Sequence, residues 1–232
     1  MNTTHSLSDD MERAIVERNL ACVADIVCRV QTTSQDSNIG FFNIALNIAA
    51  EHGFLEAVQL LIPLSNPKDN GSSALRWAAT YGHTECVKTL IPVSNPGDEK
   101  SHALTLAAEG GHTHCVELLM AVSKPKDMYS NALKAASEGG HVECVRLLVE
   151  VSDFHTECLV RAVKNGFFEA AEILCPYANM DKAVSVMHEV GVGDLKIQWL
   201  EDKIVERNNN QLNATLTSVL EPLGVERSRL KI

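Results

Sequence analysis

The sequence of 232 residues predicts an all-α solenoid, built from stacked helix-turn-helix units with short connectors and a helical cap at each end. Three observations predict it. The pattern Ala-Leu-x-x-Ala-(Ala/Ser) starts at Ala45, Ala74, Ala103 and Ala132, every 29 residues. A glycine follows each copy at a fixed distance, at Gly53, Gly82, Gly111 and Gly140. After each glycine, apolar residues fall at helical spacing, as in Val87, Leu90 and Ile91. Self-similarity at a period of about 20–50 residues marks units that bury their apolar faces on one another instead of closing into a globule.

Within a unit, the first helix carries small residues on one side, Ala74 and Ala78, and the larger Leu75 and Trp77 on the other. Small residues let neighbouring helices approach, and large ones fill the layer between them. Asn43, Ser72, Ser101, Ser130 and Thr156 share one repeat position ahead of these helices and read as N-caps, because their side-chain oxygens can accept from unpaired backbone N–H groups. The glycine suits a left-handed C-cap. The second helix follows at once, with Glu56, Glu85, Glu143, Glu169 or Asp194 near its start, where the helix dipole favours negative charge. Pro63 and Pro92 stop it, and Pro67, Pro96 and Pro125 stiffen the connectors. A fifth copy begins at Cys158 and reaches Gly166, and a weaker sixth runs from Ala183 to Gly191.

The run A-L-R-W-A-A-T-Y-G-H-T-E-C-V-K-T-L-I from Ala74 to Ile91 resembles the ankyrin repeat, whose pattern is T-P-L-H-x-A-A-x-x-G-H followed by an apolar helix. Ser73-Ala74-Leu75-Arg76 replaces the Thr-Pro-Leu-His box, and the unit is 29 residues long where the family's is about 33. The resemblance covers residues 41–178, five clear copies. It implies projecting hairpins shortened to turns and a concave groove that binds a partner protein. Compact arrays of this kind are associated with bacteria, phages and protists, where an effector or inhibitor is a natural role.

The ends are expected to cap the stack with one polar face. Residues 1–40 form the N-terminal cap, in which Ala14, Ile15 and Val16 make one helix, Asn19 stands where the glycine would be, and Val23, Ile26 and Val27 make a second. Residues 179–232 hold the degenerate repeat and the C-terminal cap. Leu195, Trp199, Leu200 and Ile204 mark a long helix, Asn208-Asn209-Asn210 a break, and Leu212, Leu216, Val219 and Leu220 a last helix before a loose tail. The whole is one continuous solenoid.

The net charge is −10, with three basic and six acidic residues in 1–40, eleven and eighteen in 41–193, and six of each in 194–232. An acidic balance disfavours nucleic acid and anionic membranes as partners. The N-terminus has no cationic segment leading into an apolar run, and seven cysteines, three of them repeat-equivalent (Cys86, Cys115, Cys144), read as core thiols in a reducing compartment. The expected location is cytoplasmic, or a host cytosol for an effector.

No catalytic motif, cofactor site or metal site is expected. Repeat-equivalent residues lie about a helix-packing distance apart, ~8–10 Å, whereas zinc ligands converge to about 2 Å from one ion. The turn histidines His83, His112 and His141 therefore share no site. The local run His112-Thr113-His114-Cys115 has donor types for a metal or an activated thiol, and is the enzyme alternative to the binding module. A DNA-mimicking acidic surface is the third reading. Positions free of packing diverge between copies, and there the candidate partner-binding residues fall: Arg76, Tyr81, Met128, Tyr129 and Lys134, with Glu109 and Glu138 as polar rim contacts. Trp77 is assigned to the core, and Phe41 and Phe42 to the seal of the N-terminal cap.

Overall fold

The computed structural model describes residues 3–33, 38–96, 102–123 and 127–220, and every regular element among them is helical. The helices pair along the chain: α1 (Thr3–Val16) with α2 (Leu20–Thr33), α3 (Asn38–Glu51) with α4 (Leu55–Leu61), α5 (Asp69–Thr80) with α6 (Thr84–Leu90). The series continues with α7 (His102–Glu109) and α8 (Thr113–Met120), α9 (Asp127–Gly139) and α10 (Val142–Leu148), α11 (His155–Asn165) and α12 (Phe168–Leu174), and α13 (Met180–Glu189) and α14 (Asp194–Leu220). Odd-numbered helices stack on odd and even on even through α12, so the molecule has two helical layers with one core between them. Short 3₁₀ turns at Ile62–Leu64 and Ile91–Val93 follow α4 and α6, each entered through the proline that ends the α-helix.

The core repeats as the sequence does. Leu46, Leu75, Leu104, Leu133 and Leu159 are fully buried at one position of the first helices, and Val58, Val87, Val116 and Val145 at one position of the second. Cys86, Cys115, Cys144 and Cys158 are buried among them. Burial raises these thiols, Cys86 and Cys158 to about 11, so at neutral pH they are small apolar fillers without thiolate character.

Four local expectations are corrected. The shared Asn/Ser/Thr position does not cap its own helix. Its side-chain oxygen accepts the backbone N–H of a connector residue 23 positions on: Asn43 from Asn66 at 2.7 Å, Ser72 from Asn95 at 3.0 Å, Ser130 from Asp153 at 3.2 Å and Thr156 from Asn179 at 3.0 Å. Ser101 lies outside the described residues. The reason is that an isolated connector has few backbone partners of its own, and an oxygen on the preceding first helix supplies one. Ser130→Ala should cost about 1 kcal/mol in urea-unfolding free energy, because it removes one hydrogen bond from a part-buried site.

The second correction concerns Asn19, which stands in the histidine's place and caps α2 by accepting from Cys22 N–H. Arg18 occupies the glycine's place, with φ of 54°. Thirdly, Asn208-Asn209-Asn210 does not break the chain, and α14 runs unbroken to Leu220. Asparagine disfavours a helix by only about 0.6 kcal/mol per residue, too little to end one already anchored at its start by buried Ile197 and Leu200. The tail beyond Leu220 lies outside the described residues. Fourthly, Trp77 is on the surface, as described below. Phe42 is buried and Phe41 packs edge-on against it, 5.6 Å between centroids. No helix among the described residues is long and apolar enough to cross a membrane.

Candidate functional site

The turn of each unit fixes where the surface side chains stand. Gly82 has φ of +72°, and a Cβ there would lie 2.6 Å from Cγ of the His112 ring in the following unit. The ring sits over the glycine because its Nε2 bonds the carbonyl oxygen of Thr80 at 2.9 Å. Gly53 with His83, and Gly111 with His141, repeat the arrangement, the ring nitrogens bonding the carbonyls of Glu51 and Glu109 at 2.8 and 2.7 Å. Phe167 replaces the histidine over Gly140. The turn histidines are thus inter-unit braces with Nε2 already occupied.

This placement bears on the thiol or metal alternative. His112 is turned towards Thr80, His114 is exposed, and Cys115 is buried with Thr84 Oγ1 3.6 Å from its sulfur. The three groups do not converge, and no group of three or more His, Cys, Asp or Glu able to hold a metal occurs among the described residues.

The outward sides of the odd-numbered helices form the surface that varies between units. On α5, Trp77 is 40 % exposed and Tyr81, just past the helix end, 48 %. Four residues apart, they lie on one side of the helix, their rings stacked at 6.1 Å and 14°. Trp77 departs from its expected core position because the helical turn that buries Leu75, Ala78 and Ala79 carries residue 77 outward. The Tyr81 hydroxyl reaches Glu51 on the preceding unit at 3.4 Å, and Arg76 is half-buried beside it in sequence.

Three other expected residues, Glu109, Lys134 and Glu138, line one concavity of about 670 Å³ across α7, α9 and α11. Sequence reasoning missed its organising residue, Arg161. The Arg161 guanidinium donates to Glu138 and to Glu157, both at 2.9 Å, and Lys134 Nζ meets Glu157 at 3.0 Å. The hydrogen bond from Arg161, reinforced by Lys134, holds the Glu157 carboxyl below its usual range despite partial burial. A signal was present: Glu157 and Arg161 are four apart on one predicted helix. Met128 and Tyr129 fall in the first turn of α9 and not in a connector, and their side chains lie outside the described residues.

Two comparisons with known proteins bear on this arrangement. The family model for ankyrin repeats (3 copies) matches residues 11–100 and 104–185. The chain belongs to the ankyrin-repeat family. Among solved structures, the crystal structure of the human ASB11 ankyrin repeat domain superimposes with a TM-score of 0.60 at 19% sequence identity, over 73% of this chain and 84% of that one. A comparison with curated proteins returned no match. Ankyrin repeats are generally protein–protein interaction modules and typically non-enzymatic.

Proposed function

We propose that this chain is a non-enzymatic binding module that holds or inhibits a partner protein along the outward faces of α5, α7, α9 and α11, in a cytoplasm. One observation carries the reading. Trp77 and Tyr81 stack on each other and, although Tyr81 also reaches Glu51 and stacks on His83, both keep much of their apolar surface in water, which a partner covering them would bury. Arg76 precedes Trp77 in sequence, and on the following units Glu109, Lys134 and Glu138 line one concavity, the anchor and rim chemistry of protein interfaces. Tyr129 and Met128 belong to the same proposed surface by their place at the start of α9.

The test is capture from the native host with the purified full chain, repeated with Trp77→Ala/Tyr81→Ala. The double variant should keep the parent's helical circular dichroism and lose about tenfold or more in partner recovered, the effect of one interface anchor. Equal capture by the folded variant would remove these residues from the interface.

A further inference from the structure

The groove continues past α9 and changes character at its C-terminal end. A second concavity of about 650 Å³ lies against α11 and α13. Phe154, just ahead of α11, is 59 % exposed, Tyr177 is 45 % and Val190 54 %. These apolar groups line one cavity wall together with Val160 and Val186. Phe154 is also held in the left-handed region, φ 65°, where a bulky residue is a true outlier and the surrounding structure must impose the conformation. The clamps are on view: Lys134 Nζ lies 4.7 Å from the Phe154 ring centroid, and the neighbouring His155 bonds the carbonyl of Val149 at 2.7 Å while its ring packs at a tilt against Tyr177, 5.5 Å between centroids. Backbone strain is thus spent on presenting an aromatic ring to solvent.

The charges of this cavity are uneven. Arg161 is shared between Glu138 and Glu157, and Lys134 also meets Glu157, so these four groups neutralise one another. Lys164 and Lys182 are left over, exposed on the cavity wall with no carboxylate within ion-pair distance among the described residues. In a chain of net charge −10, a cavity with two unopposed cations beside three exposed apolar side chains selects for the opposite sign. The chain's own last twelve residues do not fit, since they hold two acidic residues (Glu221, Glu226) against three basic ones (Arg227, Arg229, Lys231).

We infer that this end of the groove is a docking site for an acidic peptide segment of the partner protein, with one bulky apolar side chain seated between Phe154 and Tyr177 and flanking Asp or Glu residues on Lys164 and Lys182. The inference rests on the groove reading above and names the chemistry of what the groove takes. The pair Trp77 and Tyr81 belongs to α5 and its C-cap and lines no part of this cavity, so variants separate the two sites.

The experiment selects a displayed random dodecapeptide library on the immobilised full chain and measures the enriched sequences, as synthetic fluorescent peptides, by anisotropy. Enriched peptides should carry at least two Asp or Glu around a Phe, Leu or Trp. Their affinity should fall about tenfold or more with Lys164→Glu/Lys182→Glu, fall with Tyr177→Ala, weaken as salt is raised, and stay unchanged with Trp77→Ala/Tyr81→Ala. All three variants alter exposed side chains, and circular dichroism confirms their fold. Absence of enrichment, acid-poor sequences, or equal binding by the charge-reversed variant overturns the inference. Peptides lost instead with Trp77→Ala/Tyr81→Ala overturn it while leaving the groove reading standing, and peptides indifferent to every variant count against both. A single-stranded oligonucleotide that displaces the peptide and binds more tightly would also overturn it, in favour of a phosphate site.

Discussion

Gly82→Ala should lower the urea-unfolding free energy by about 3 kcal/mol, since a side chain in the left-handed region costs on the order of 1–2 kcal/mol and the new methyl group must also displace the next unit's ring. Two costs meet at this one position. The φ of +72° penalises any Cβ, and the Cβ would stand 2.6 Å from the His112 ring. They separate in a double-mutant cycle. His112→Ala alone gives up the bond to Thr80, about 1 kcal/mol, and opens the space above Gly82. In that background Gly82→Ala should cost only its backbone share, so the two changes should be less than additive by about 1 kcal/mol or more. Strict additivity, measured as midpoint shifts at constant denaturant slope, would mean that the ring does not rest on the glycine.

A comparable loss, about 3 kcal/mol within a range of 2–5, is expected for Leu104→Ala, because the side chain is fully buried and its removal leaves a cavity as well as lost apolar transfer. Its position makes the effect informative. Leu104 lies on α7, which packs on α5 and α9 and on its own partner α8. A solenoid is held by nearest-neighbour interfaces, so weakening the middle uncouples the two halves. Unfolding of Leu104→Ala should therefore broaden into two steps, followed by tryptophan fluorescence from Trp77 on one side of the lesion and Trp199 on the other. The same truncation at the edge, Ile15→Ala on α1, should shift the transition without splitting it. A single sharp transition for Leu104→Ala would show that the stack melts as one unit.

Most of the scaffold could be read before any coordinates, because packing repeats and leaves the same letters every 29 residues. Leu75, Leu104 and Leu133 advertised their burial through their recurrence. What escaped was set by contacts between units. The oxygens of Asn43, Ser72 and Ser130 look like caps in sequence, since the cap preference and the connector bond draw on the same side chains, and only the fold brings residue 95 back to residue 72. Trp77 was misplaced because a large apolar residue on an amphipathic helix is ordinarily core, and its stack with Tyr81 appears only when side-chain directions are known. At the candidate site the divergent positions Lys134 and Glu138 pointed to the cavity, yet Arg161 and Phe154 did not stand out. A glutamate and an arginine four apart read as a solvated helix face, the second carboxylate, Glu138, comes from another helix, and a strained φ leaves no mark on the letter Phe.

Two recurring kinds of bond that tie unit to unit face one way. The connector N–H of Asn95 looks back to Ser72, that of Asp153 to Ser130, and the imidazoles of His83, His112 and His141 look back to carbonyls that precede them by 32 residues. A chain leaving the ribosome presents the earlier partner first. Each hydroxyl and carbonyl is already fixed on a finished helix when the donor that needs it emerges, and waits meanwhile in contact with water at little cost. The later unit, by contrast, has no acceptor for its connector or its ring until its predecessor is in place. Each finished course of helices thus carries the acceptors that these connector and imidazole donors of the next course need.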